Sequence, residues 1–177
     1  VIVYGCTSGS FLEGVGKEAR LAERITRHTG IPAVTTSTAV VEALRAQGAR
    51  RVFMLTPYPE AVNEHEVAFC RHYGFEVVAL DSFRCPTSED IRAISSDQVA
   101  ERVLGNTGAI GGCDTIFISC TNLLTMDRIE TIEARSGRPV VTSNQASLWA
   151  GLARMGVPMQ GIRAGSLFQC AVSAEAA

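Results

Sequence analysis

Hydrophobic positions along this chain fall into two alternating patterns. Short apolar runs end in small polar residues: VIVYG at 1–5, GIPAVTT at 30–36, RVFMLTPY at 51–58, FEVVALDSF at 75–83, CDTIFISC at 113–120 and RPVVTS at 138–143. These read as strands. Between them, amphipathic stretches predict helices at 13–29, 37–47, 60–73, 88–104, 126–136 and 145–155. Capping chemistry marks their ends. Ser37, Thr87 or Ser88, and Asn144 offer oxygens to free backbone N–H groups at helix starts, and Gly74 stops the helix before it. Strands alternating with helices predict an α/β fold, with parallel sheets covered by helices on both faces.

The chain also repeats itself. One segment runs strand, Cys6-Thr7-Ser8, helix, GIPAVTTS at 30–37, helix. The other runs strand, Cys120-Thr121-Asn122, helix, GRPVVTSN at 137–144, helix. Such duplication predicts two similar halves, here residues 1–36 with 144–177, and residues 37–143. Facing halves would set two equivalent cysteine turns across one cleft.

Composition narrows the chemistry. The chain has 177 residues, 46% hydrophobic and 19% charged, with a formal net charge of −2. A globular fold is expected. No basic stripe points to nucleic acid, and no apolar run reaches the roughly 18 residues of a membrane helix. With no leader visible, a soluble cytoplasmic protein is expected. Val1 lies inside a strand, so a preceding N-terminal piece is also expected. The six cysteines contain no CxxC pair, and the only cysteine with histidines nearby is Cys70, close to His65 and His72, so the spacing offers no four-ligand zinc site. Cys70, Cys85, Cys113 and Cys170 read as small buried or surface thiols.

Cys6 and Cys120 differ from these four. Each follows a strand and precedes a small polar turn into a helix, the place where open α/β sheets bind ligands. Helix N-termini there favour a carboxylate and lower a thiol pKa. Thr7, Ser8, Ser10, Thr121 and Asn122 add donors. A thiol pair in such a place supports two chemistries. One cysteine removes a proton while the other returns it, or one thiolate adds to an activated double bond while the other handles the proton. Neither needs a cofactor, and no GxGxxG or GxxxxGK[ST] motif stands at a strand–helix joint. GCTSGS could be taken for a phosphate cradle, but it lacks the lysine of a P-loop.

GCTSGS at 5–10, LTPY at 55–58 and SCTNLLTMD at 119–127 together resemble the maleate cis–trans isomerases of the aspartate/glutamate racemase superfamily, with arylmalonate decarboxylases and ectoine-utilisation proteins as near relatives. The resemblance covers nearly the whole chain. It implies two Rossmann-like halves related by a pseudo-twofold axis, with the active site between them. It also implies a further N-terminal strand and helix, with a substrate-binding Asn, ahead of the first cysteine. By this resemblance Cys6 adds to the double bond of a cis-enedioate, the adduct rotates about its new single bond, and elimination yields the trans acid with Cys120 as proton partner. Thr7, Ser8, Thr121 and Asn122 match carboxylate-holding positions, and Tyr58 matches a carboxylate-binding tyrosine. Without the resemblance, Tyr58 between Pro57 and Pro59 reads as a turn residue. Ser88 stands where the family commonly carries Asn, and a serine offers one hydroxyl where Asn offers two N–H groups. The implied partner is a small dicarboxylate, with no cofactor or metal, no nucleic acid and no membrane; a homo-oligomer remains open.

Other readings use the same scaffold. Arylmalonate decarboxylases keep only the second cysteine, with Gly at the first, so Cys6 argues against them. Amino-acid racemases keep both but need groups for an α-ammonium. Ectoine-utilisation relatives share both blocks. A non-catalytic small-ligand binder would leave both thiols inert.

Overall fold

A computed structural model describes residues 1–11 and 14–170. Its strands build two sheets in which every pairing is parallel. β1 (Ile2–Tyr4) pairs with β2 (Ala33–Thr35). β3 (Arg51–Thr56), β4 (Glu76–Ser82), β5 (Thr115–Ile118) and β6 (Val140–Thr142) form a second sheet in the order β4-β3-β5-β6. The helices are α1 (Thr7–Phe11), α2 (Glu18–Thr29), α3 (Thr36–Ala46), α4 (Glu60–His72), α5 (Ser88–Arg92), α6 (Ser96–Gly105), α7 (Thr107–Gly112), α8 (Ile129–Ser136) and α9 (Ser143–Arg154). A 3-10 turn follows at Ser166–Gln169.

Strand side chains alternate between opposite faces, and in the larger sheet both faces are covered. Val52, Met54, Phe117 and Val141 enter one core with Val40 and Leu44 of α3, Phe69 of α4 and Trp149 of α9. Phe53, Leu55, Ile116, Ile118 and Val140 enter the other with Val99 and Val103 of α6 and Ile129 and Ile132 of α8. That is why these strands read as continuous apolar runs. Helices α3 and α9 pack against each other and touch both β2 and β6, so they form the layer that joins the two sheets.

Several predicted boundaries move. The helix expected from residue 13 begins at Glu18. Gly14 and Gly16 have φ of 112° and 83°, which an α-helix does not admit, and Glu13 lies outside the described residues. The helix expected over 88–104 is two: α5 ends near Ala93, and Ser95 starts α6 with its own capping box to Gln98. The caps of α3 and α9 are Thr35 and Thr142, rather than Ser37 and Asn144. Helix α8 starts at Ile129 rather than 126. The turns at 7–11 and 107–112 are short helices that the apolar pattern did not announce.

Candidate active site

The carboxyl ends of the parallel strands carry the residues singled out above. Cys6 follows β1, Tyr58 follows β3 and Cys120 follows β5. Local hydrogen bonds shape both cysteine turns in the same way. Cys6 Sγ accepts the Gly9 N–H at 3.3 Å, and Cys120 Sγ accepts the Asn122 N–H at 3.4 Å. The turn carbonyls are held from matching positions at the starts of α3 and α9. Ser37 Oγ donates to the Thr7 carbonyl at 3.0 Å. Asn144 Nδ2 donates to the Thr121 carbonyl at 3.2 Å and to that of Leu123 at 3.0 Å. The repeat seen in the sequence is thus a repeat of hydrogen bonding.

Two contacts then bind the turns to each other. Thr121 Oγ1 donates to the Gly5 carbonyl, next to Cys6, at 3.1 Å. Thr7 Oγ1 donates to Ser143 Oγ at 2.9 Å, and the same oxygen accepts the Cys120 N–H at 3.0 Å. Ser143 was not a sequence candidate. Its position in the GRPVVTSN repeat, matching Thr36, was the available signal.

Cys120 holds φ at 99°, a left-handed conformation in which a side chain is strained by about 1–3 kcal/mol. The Ser143 bond to its amide and the packing of its buried side chain keep it there. The expected lowering of the thiol pKa does not hold at Cys120. Burial pushes it up and outweighs the donors from the Tyr58 hydroxyl and the Asn122 and Leu123 amides that pull it down. At neutral pH Cys120 is therefore a thiol that carries a proton. Cys6 is the more open of the two: it is half-buried, whereas Cys120 is buried. A methyl group at Gly9 would meet Cys6 Sγ at 2.9 Å and Tyr4 Oη at 3.1 Å, so glycine makes room for that sulfur.

Tyr58 is 6% exposed, and its hydroxyl lies near enough to Cys120 and Ser119 to interact with both. Burial above all, then the Glu66 and Cys120 charges, pushes its pKa up, so it stays a phenol. Asn63 Nδ2 and Ser82 Oγ both donate to the Tyr58 carbonyl, at 3.0 and 2.6 Å, which fixes the turn between Pro57 and Pro59. Behind Tyr58 lies a residue that sequence reasoning missed. Glu66 of α4 is 1% exposed, and its Oε1 pairs with Ser119 Oγ at 2.5 Å. Its Oε2 has no hydrogen-bond partner among the described residues. Burial pushes its carboxyl up to about 7, partly offset by Ser119. The signal was periodic: Asn63, Glu66, Phe69 and Cys70 form the buried stripe of α4.

The other predicted residues are less tightly tied to this cluster. The hydroxyls of Thr7 and Thr121 are engaged in holding the turns. Ser8 is half-buried and Asn122 exposed, both beside a cysteine. Ser88 is exposed at the first position of α5, where Thr87 is the cap. Cys85, just before it, lies near enough to Cys120 for their charges to interact. Cys70 and Cys113 are buried and Cys170 half-buried, and all six thiols are free. Among the described residues, no three His, Cys, Asp or Glu gather as a metal site, and no helix is long and apolar enough to cross a membrane.

Parallel sheets joined through α3 and α9, with two cysteine turns hydrogen-bonded to each other at their carboxyl ends, define a class of α/β protein. Residues 1–168 match the arylmalonate decarboxylase family model, and the chain belongs to that family. Its curated relatives include an arylmalonate decarboxylase of Bordetella bronchiseptica, 35% identical over 81% of this chain and 60% of the relative. A maleate isomerase of Pseudomonas putida is 27% identical over 86% of this chain and 62% of the relative. The chain thus spans about three-fifths of the length of these two enzymes. A crystal structure of arylmalonate decarboxylase superposes with a TM-score of 0.82 at 33% identity, covering 94% of this chain and 74% of that one. A Nocardia farcinica maleate cis–trans isomerase with a covalently bound succinylcysteine intermediate shares the fold, with a TM-score of 0.85 at 24% identity over 95% of this chain and 70% of the other.

Proposed function

We propose that this chain carries the two-cysteine core of a cofactor-independent isomerase that converts a small cis-enedioate, maleate, to its trans isomer. One observation carries the reading: the Cys6 and Cys120 turns are hydrogen-bonded to each other through Thr7–Ser143–Cys120 and Thr121–Gly5. A single catalytic thiol has no need of a matching cysteine turn tied to it. The maleate isomerases among the relatives support the same chemistry.

In this reading the Cys6 thiolate attacks one alkene carbon. The π electrons move toward the adjacent carboxylate, and the Cys120 S–H delivers its proton to the neighbouring carbon. The succinyl adduct turns about its single bond. The Cys120 thiolate then takes the proton back, and Cys6 leaves as the trans alkene forms. The two sulfurs divide the work as their surroundings predict, the more open one as nucleophile and the buried one as proton carrier. Ser8, Ser88 and Asn122 would offer side-chain donors to the carboxylates, Thr7 and Thr121 their backbone amides, and Tyr58 would line the substrate site with its hydroxyl turned to Cys120. Of the half expected from residues 1–36 with 144–177, the described residues would form one wall of the cleft, with 12–13 and 171–177 lying outside them, and residues 37–143 would form the other.

Mass spectrometry with maleate tests this. The Cys6→Ala chain should form no adduct. The Cys120→Ala chain should form one slowly on Cys6 without turnover. An adduct on Cys120 in the Cys6→Ala chain reverses the roles. The 35% identity to an arylmalonate decarboxylase favours a second reading, loss of CO2 from an arylmalonate with Cys120 as proton donor. Release of CO2 from phenylmalonate, with no isomerisation of maleate, would select it.

A further inference from the structure

We propose that Glu66 is a positioning residue for Cys120: as a neutral acid it turns the Ser119 and Tyr58 hydroxyls toward the Cys120 sulfur, so that this sulfur can hold negative charge once its proton has gone to substrate. The inference rests on the two-thiol reading and adds to it a residue that neither the sequence motifs nor the repeat points to.

The argument is one of counting hydrogens. Ser119 Oγ and Glu66 Oε1 are hydrogen-bonded, and the Tyr58 hydroxyl lies close enough to both Ser119 and Cys120 to interact with each, so the four groups stand in sequence from acid to sulfur. A serine or tyrosine hydroxyl has one hydrogen to give. If Glu66 is a carboxylate, Ser119 gives its hydrogen to Oε1, and Tyr58 receives none. If Glu66 is an acid, its own O–H points at Ser119 Oγ, Ser119 donates to Tyr58, and Tyr58 donates to Cys120. Only the acid form aligns every donor toward the sulfur. Geometry also favours that form. A buried carboxylate with one oxygen unpartnered is costly, and Oε2 is such an oxygen.

The ionisable groups facing Glu66 agree. Tyr58 comes from the turn before α4, Cys70 lies one turn on along α4, and Cys120 comes from the end of β5; the charge of each is coupled to that of Glu66. Between Thr7 and Ser10, α1, which also packs on α4, offers only hydroxyls and a glycine. Among the described residues no ion pair reaches Glu66. A Glu66 carboxylate therefore acts on Cys120 as an uncompensated like charge, and a neutral Glu66 removes it.

The test is the pH dependence of Cys120 alkylation by iodoacetamide, followed peptide by peptide by mass spectrometry. It needs no substrate, so failure to isomerise maleate leaves it intact. In the unaltered chain the logarithm of the rate should rise with pH and then bend downward near neutrality as Glu66 ionises. In Glu66→Gln, which keeps a neutral donor, the bend should vanish. The rate at pH 8.5 should then exceed that of the unaltered chain by about threefold or more, the effect of a half-unit change in thiol pKa. Ser119→Ala leaves Glu66 without the donor that stabilises its charge, so the bend should move to higher pH. Superimposable profiles for the unaltered chain and a folded Glu66→Gln, or a bend that stays in place in Ser119→Ala, would overturn the proposal. Should Glu66→Gln not fold, the Ser119→Ala profile decides alone.

Discussion

Thr7 Oγ1 lies 2.9 Å from Ser143 Oγ, a contact between residues 136 apart in sequence. Because Ser143 Oγ also accepts the Cys120 N–H, one serine oxygen fixes the distance between two turns that arrive from different sheets. The two cysteine turns are tied together by neighbouring hydroxyls, and the sulfurs accept from the backbone amides of Gly9 and Asn122.

Ser143→Ala should loosen this joint. It leaves a buried amide and a buried hydroxyl unpaired, a loss of about 1–3 kcal/mol. Urea denaturation should show that loss. Maleate adduct formation at Cys6 should slow by more than the loss of folded protein explains. A stable variant with unchanged labelling would show that the turns are set by something else.

Gly9→Ala tests the space beside Cys6. The added methyl meets the sulfur at 2.9 Å, so the side chain must rotate away from the Gly9 amide. Iodoacetamide labelling of Cys6 should change several-fold, with little change in melting temperature, since the contact lies at the end of a movable side chain. Equal labelling rates would place the Cys6 sulfur elsewhere.

Tyr58→Phe removes a donor that lowers the Cys120 pKa. The thiol pKa should rise further and alkylation of Cys120 at pH 8 should fall. A hydrogen bond to a charged group is worth about 1.5–3 kcal/mol, so roughly a tenfold fall or more is expected. Faster alkylation would mean that Tyr58 shields the sulfur and does not assist it.

Glu66 also makes stability depend on pH in a definite direction. Its carboxyl is raised from 4.5 to about 7 by burial. Below the lower value both folded and unfolded chains hold the proton. Between the two values only the folded chain keeps it, so its contribution to stability is lost as pH rises through the folded pKa. Glu66→Gln does not titrate. Its stability relative to the unaltered chain should improve by on the order of 3 kcal/mol between pH 4.5 and pH 8. Denaturation curves at the two pH values measure this, and a constant difference would mean that Glu66 is ionised throughout.

The sequence by itself determined the order of strands and helices and the parallel character of the sheets. Phe53, Leu55, Ile116 and Ile118 interleave with Val52, Met54 and Phe117, a pattern that only burial on both faces explains. It also determined that Cys6-Thr7 and Cys120-Thr121 occupy equivalent joints, because the residues that hold each turn stand at the same place in the two GxPxV repeats, Ser37 for one and Asn144 for the other.

Local spacing could not say which hydroxyl caps and which bridges. Thr35 and Thr142 cap, freeing Ser37 and Ser143 for the turns, and that division depends on where the facing helix lies. Nor could it place Ser88 in solvent, or break the helix at 93–95. Glu66 shows the limit most clearly. In Asn63-Glu64-His65-Glu66 two glutamates look alike in sequence, yet Glu64 is exposed and Glu66 is buried. Which of them becomes a buried acid is decided by the packing of α4 beside Ser119 and Tyr58, since burial and neighbouring donors, not residue type, set where its proton resides.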